Sequence, residues 1–268
     1  MDIARSRLLT PSMRDQQLVD IMKSQGVQSR VIGGEVTTIE KLGGYLVALR
    51  YKQDFICGGT LIEARFVVSA AHCFLGRPNK SAWTVEGGIS RLTDSGVLVK
   101  LKDYMVPAVF SDSDMHMDVA VILLETPLMG RNIDTVSLCS RSLTEGLHLT
   151  VSGWGLIDPK STGPTQSIRT VTVPVVNMSQ CRQTYKKAMT LSNSMFCAGV
   201  LGTKDACTFD SGGPLIYDDI NTGHKELCGI VSFGIGCASP KYAGVYTNVN
   251  YVKPFIQMSI DVFRKSLM

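Results

Sequence analysis

VAVILL, residues 119–124, is an apolar run of strand length, rich in Val and Ile. It is not alone. YLVAL (45–49), RFVVSAA (65–71), LTVSGW (149–154), TVTVPVV (170–176) and GIVSF (229–233) repeat its character, separated by Gly, Pro, Ser, Asn and Asp. Runs of four to eight such residues between turn formers read as strands. Many short strands without long helical patterns between them imply an all-β sandwich or barrel. The end of the chain differs. In YVKPFIQMSIDVFRKSLM (251–268), Phe255, Ile256, Ile260 and Phe263 recur at roughly helical spacing, so a C-terminal helix is expected on the barrel. There is no convincing internal repeat.

The chain has 268 residues, 44% of them hydrophobic, enough to bury a substantial core as one large domain or two compact halves. No run reaches the roughly eighteen apolar residues needed to cross a bilayer, so no membrane span is expected. The formal charge is +4, with Lys and Arg spread along the chain, which argues against a dedicated nucleic-acid surface. All eight cysteines lie between Cys57 and Cys237, at wide, irregular spacings that fit no paired CxxC zinc pattern. Disulfides formed in an oxidising compartment are the better reading. MDIARSRLLTPSM (1–13) holds no apolar core of signal-peptide length, so export uses either a leader outside this numbering or another route.

Four segments carry the chemistry: SRVIGGE (29–35), VVSAAHC (67–73), MDVAVILL (117–124) and KDACTFDSGGPL (204–215). Each alone has a plainer explanation. A histidine beside a cysteine is ordinarily packed at a disulfide, an acid opening an apolar strand meets water, and Asp-Ser-Gly-Gly-Pro makes a turn. Together, in the order His72, Asp118, Ser211, they resemble the trypsin/chymotrypsin family of serine endopeptidases. The resemblance runs from Arg30 to the C-terminus and is reinforced by CGGTLI (57–62), SGWG (152–155), FCAG (196–199) and GVYTNV (244–249).

That resemblance implies two six-stranded antiparallel β-barrels with the active site between them. It also implies roles. A serine hydroxyl is a poor nucleophile, so His72 takes its proton while Asp118 orients the imidazole. Ser232 supports the aspartate. Asp112 and Asp114 are alternatives to Asp118, but only Asp118 is followed by the apolar strand. The backbone N–H groups of Phe209 and Ser211 form the oxyanion hole. Arg30–Val31 resembles an activation site, dividing a propeptide (1–30) from the protease domain (31–268), and the new amino group at Val31 pairs with Asp210. No cysteine in 1–30 would tether the propeptide after cleavage.

Asp205, six residues before Ser211, stands where the trypsin branch keeps an acid at the pocket floor. Gly234 and Gly244 fall at its open walls, so cleavage after Arg or Lys is expected. A chymotrypsin-like pocket would require Asp205 to point away. Phe233 replaces the family's common tryptophan on the neighbouring shelf. Phe209 departs further, because the family has Gly there. Three outcomes follow from it: an active enzyme with a restricted cleft, a slow or cofactor-dependent one, or a non-catalytic binding module.

By resemblance Cys57 pairs with Cys73, Cys181 with Cys197, and Cys207 with Cys237. Cys139 and Cys228 do not match the family's frequent fourth bridge, whose positions are Leu149 and Tyr217. Left over, they pair with each other or remain two free thiols. Asn79-Lys80-Ser81 and Asn177-Met178-Ser179 are glycosylation sequons if the chain is secreted. The loop ISRLTDSG (89–96) lacks the paired carboxylates of a calcium site, so neither metal nor cofactor is expected. His116, His148 and His224 have no motif around them and read as solvent-facing. The partners implied are a protein or peptide substrate, an upstream activating protease and protein inhibitors, acting on a monomer.

Overall fold

The computed structural model describes residues 34–155, 165–202, 211–235 and 239–267. A short strand β1 (Glu35–Val36) and a single helical turn α1 (Ile39–Leu42) lead into β2 (Leu46–Tyr51), β3 (Asp54–Glu63), β4 (Phe66–Ser69), β5 (Trp83–Gly87), β6 (Val97–Met105) and β7 (Ala120–Leu124). The last six form a closed barrel in the order β2-β3-β4-β7-β6-β5, every neighbour antiparallel. Register shifts at Leu49/Arg50, Leu61/Glu63 and Leu101/Asp103 bend the strands enough to close it. The VAVILL run is buried along its whole length, with β4 on one side and β6 on the other.

After the short β8 (Ser137–Leu138), the second half contains β9 (His148–Gly153), β10 (Arg169–Pro174), a helix α2 (Met178–Tyr185), and β11 (Met195–Ala198). It continues with β12 (Pro214–Asp219), β13 (His224–Phe233), β14 (Gly244–Asn248) and the terminal helix α3 (Val249–Ser266). The strands run β10-β9-β12-β13-β14-β11, extended by β1 on β10, while β8 pairs in parallel with β13. The outer edge of β10 is shared. β1 takes its start at Arg169 and Thr170, and an antiparallel bridge between Val175 and Ala198 joins the residue after its end to β11. The six strands therefore return upon themselves through one bridge, whereas the first barrel closes through a full ladder.

Three disulfides pin these elements: Cys57–Cys73, Cys181–Cys197 and Cys139–Cys228. The third ties the connection between the halves to β13, where β8 already lies alongside it. Cys207 and Cys237 lie outside the described residues. In α3, Val249, Val252, Ile256, Ile260 and Phe263 are buried, and Phe263 stacks on Phe66 of the first barrel at 6.4 Å between ring centres. Each such side chain contributes about 1.5–3 kcal/mol as an upper estimate. The helix thus fastens the second half onto the first, and an Arg264–Glu63 ion pair of 2.6 Å follows the same seam. No helix among the described residues is long and apolar enough to cross a membrane.

Candidate active site

His72 sits in a 3-10 turn (Ala71–Phe74) directly after β4. Two neighbours fix that turn. The Cys57–Cys73 bridge ties it to β3, and Phe74 packs on Trp83 and Tyr104 at 4.7 and 4.2 Å between ring centres. Asp118, immediately before Val119 and β7, is completely buried. Its Oδ1 accepts the His72 backbone N–H at 3.0 Å, and its Oδ2 lies 2.8 Å from His72 Nδ1. The Ser232 hydroxyl donates to the same Oδ2 at 2.5 Å. A carboxylate without solvent requires such donors, since an unpaired buried charge costs several kcal/mol.

The aim of Ser232 has a local cause. The pairing of β13 with β14 slips between Val231 and Phe233, which leaves Ser232 as the extra residue of a bulge. Freed from the pleat, its hydroxyl reaches the first half of the molecule. On β14, Thr247 donates to the Asp118 carbonyl at 2.8 Å. Asp112 and Asp114 are exposed, and Asp114 instead accepts the His116 backbone N–H at 2.9 Å.

Burial opposes charge on both members of the His72–Asp118 pair, yet their mutual attraction and hydrogen bonds prevail. His72 is held above its ordinary value of 6.5 and Asp118 below the ordinary 3.8. The imidazolium therefore adds stability that is complete below pH 6.5 and lost as pH rises through the folded value. The carboxylate adds stability that is present above 3.8 and lost as pH falls through its own folded value. We predict that an NMR titration of the His72 ring has its midpoint above 6.5. A midpoint at or below 6.5 would mean that burial outweighs the aspartate.

Ser211 is half-buried, and its carbonyl accepts the Gly58 N–H at 2.9 Å. Gly58 adjoins Cys57, the bridge partner of the residue after His72. On the other side, Gly212 donates to Val231 and Val231 to Gly213, at 2.8 and 2.9 Å, one residue from Ser232. The Ser211 loop is thus tied to the strands that position His72 and Asp118. The glycine after the serine is required by space as well as by its φ of +74°: a Cβ on Gly212 would lie 2.2 Å from Ser69 Oγ and 2.7 Å from the Gly58 carbonyl.

Phe233 is half-buried with its ring edge-on to Tyr185 at 6.2 Å, Gly234 follows it, and the buried Gly244 opens β14. Asp205, Phe209, Asp210, Arg30 and Val31 lie outside the described residues. Asn79 is exposed, and its Oδ1 accepts from both the N–H and the hydroxyl of Ser81. Asn177 caps α2 through Oδ1, while its Nδ2 donates to Glu145 at 2.9 Å. His148 and His224 are exposed. The solvent-facing expectation for His116 is corrected: the ring is half-buried, with Nδ1 3.0 Å from Ser192 Oγ and 3.2 Å from Ser194 Oγ. Its partners lie more than seventy residues away in sequence, so no local pattern announces them.

A histidine whose Nδ1 is held by a buried carboxylate can take a proton at its other nitrogen and stabilise the resulting charge. The family model described as Trypsin matches residues 31–256. The chain is 55% identical over 245 residues to Seminase of Drosophila melanogaster, covering 91% of this chain and 87% of that one. It is 33% identical over 239 residues to Vitellin-degrading protease of Bombyx mori (88% and 87% covered). To Trypsin eta of Drosophila erecta it is 34% identical over 237 residues (85% and 88%). A family match over most of the chain, relatives of like length, and a barrel pair meeting at His72 and Asp118 agree: this chain belongs to the trypsin family of serine proteases.

Proposed function

We propose that the protein is a secreted serine endopeptidase that hydrolyses peptide bonds after Arg or Lys, once a propeptide of residues 1–30 is cut from the protease domain at 31–268. The observation that carries the catalytic part is the buried Asp118 carboxylate, bonded at once to the His72 backbone, its ring and Ser232. His72 accepts the Ser211 proton as Oγ attacks the substrate carbonyl, and the N–H groups of Phe209 and Ser211 receive the oxyanion. His72 then returns the proton to the departing amine. Water repeats the sequence on the acyl-enzyme and frees Ser211.

Activation follows from charge. Asp210 needs a cation that exists only after cleavage at Arg30–Val31, when the Val31 amino group becomes available. Either an upstream protease or the enzyme itself could make that cut, since Arg30 fits the proposed preference. The substrate is a protein or peptide and the active form a monomer.

The test uses chain cut after Arg30 and small peptides with Arg, Lys, Phe or Leu before the scissile bond. Turnover confined to Arg and Lys supports the reading. Asp205→Ser is expected to lower kcat/KM on the Arg peptide by about 10²-fold or more, the scale of breaking a buried ion pair. An unchanged Arg and Lys preference in that variant would remove Asp205 from the pocket. Absence of turnover on every peptide, from folded and correctly cut chain, would favour the non-catalytic binding module that Phe209 makes the rival reading.

A further inference from the structure

The loop that delivers Asp118 is held in an unusual backbone. Met115 and Met117, flanking His116, have φ of +56° and +57°, a region that side chains other than Asn and Asp seldom occupy. Within the loop, Met115 donates to the Ser111 carbonyl and Val119 to that of Met117, both at 2.8 Å. Further support comes from the other half of the molecule. Ser194, buried at the foot of β11, accepts the Met117 N–H at 3.0 Å, and its hydroxyl lies 2.8 Å from that of Ser192. Both hydroxyls face His116 Nδ1.

Ser194 Oγ accepts from Met117 and shares a hydrogen bond with Ser192 Oγ, and both hydroxyls lie within hydrogen-bond distance of His116 Nδ1. One network therefore joins the Met117 amide, two serines and His116, crossing the seam between the barrels. A single peptide unit separates its first donor from Asp118. Ser232 and Thr247 hold the same aspartate from the same side of the seam.

We propose that His116 is a positioning residue, which with Ser192 and Ser194 clasps this loop to the second barrel and sets how Asp118 meets His72. The inference rests on the reading of His72, Asp118 and Ser211 as the catalytic groups. Without the imidazole, both serine hydroxyls lose the partner that fixes them, and the Ser194 oxygen that accepts the Met117 N–H is free to turn. Asp118 then rotates away from Nδ1. His116, Ser192 and Ser194 are not among the residues assigned to the substrate pocket, so the loss is expected in kcat with KM little changed.

The charges facing His72 are Asp118 and Arg77, whose guanidinium donates to the carbonyls of Cys73 and Leu75. Asp114 bonds the His116 backbone and remains in every variant below. Weaker Asp118 contact should therefore move the acid limb of kcat toward lower pH.

The experiment compares His116→Ala, Ser192→Ala, their double variant and His116→Asn, in cut enzyme on the Arg peptide. Each alanine variant is expected to lower kcat by about three- to tenfold, the worth of a hydrogen bond expressed as a rate. Each should also lower the acid-limb midpoint. The double variant should add little, because one network is broken twice. His116→Asn, whose side-chain amide offers a hydrogen-bonding atom near the Nδ1 position, should recover most of the rate.

An unchanged kcat and acid limb in the alanine variants, a loss confined to KM, additive losses, or no recovery with Asn would each overturn the proposal. Thermal unfolding of each variant precedes the assay. If His116→Ala does not fold, Ser192→Ala and His116→Asn decide. If wild-type enzyme itself shows no turnover, the catalytic reading fails, and NMR titration of His72 still tests the clasp. A lower midpoint in the variants would sustain it and an equal one would end it.

Discussion

Ser211→Ala is expected to reduce turnover of the Arg peptide by about 10⁶-fold, the scale seen when a serine protease loses its nucleophile. The structure explains why this change should be clean. The loop is held through backbone, by Gly58 on the Ser211 carbonyl and by the Val231 exchange with Gly212 and Gly213, so removing Oγ releases none of these bonds. The His72–Asp118–Ser232 array does not depend on it either. Peptide affinity should therefore stay within a few-fold while chemistry disappears. The measurement is kcat by stopped assay alongside peptide affinity by calorimetry, on folded and cut chain. Residual turnover above about one-thousandth of wild type would mean that another group attacks the substrate.

How far the sequence carries differs from element to element. β7 was legible because a closed barrel buries it completely, and a continuous Val, Ile and Leu run has few other homes. The terminal helix was legible because Ile256, Ile260 and Phe263 return to one side at helical spacing. Closure of the second half was less visible. It depends on β1 and the Val175–Ala198 bridge dividing one strand edge, an arrangement without a composition of its own.

The cysteines show the same limit. Sequence alone leaves Cys139 and Cys228 as partners or as two thiols; β8 lies parallel to β13, pairing Leu138 with Leu227, and so brings the neighbouring cysteines together. At the site, the glycines after Ser211 read as a turn. The reason for Gly212 is the Ser69 hydroxyl and Gly58 carbonyl pressed against it, supplied by residues remote in sequence. His116 was misread for that reason too, because its partners belong to the other barrel.

Asp118→Asn is expected to lower kcat by about 10⁴-fold, a size established for this catalytic family and not obtained from this structure. What the structure supplies is the direction. The His72 backbone N–H points at Oδ1 and has no way to become an acceptor. An asparagine must therefore turn its carbonyl oxygen to that position, which places its NH₂ where Oδ2 meets Nδ1 at 2.8 Å. Facing a donor, Nδ1 gives up its proton and the ring carries it on Nε2. In the proposed mechanism that nitrogen must be bare to accept the Ser211 proton.

The opposite flip would set the NH₂ against the backbone N–H, two buried donors in contact, at a cost of about 1–3 kcal/mol. The wrong tautomer is thus the stable one. Charge stabilisation is lost as well, leaving burial to press the His72 titration below the wild-type midpoint. The check is kcat near pH 8 together with the His72 NMR titration in the same variant. Turnover within tenfold of wild type would show that Asp118 does not set the tautomer. A large loss of rate with an unmoved His72 midpoint would mean that the aspartate acts by orienting the ring, with its charge contributing little.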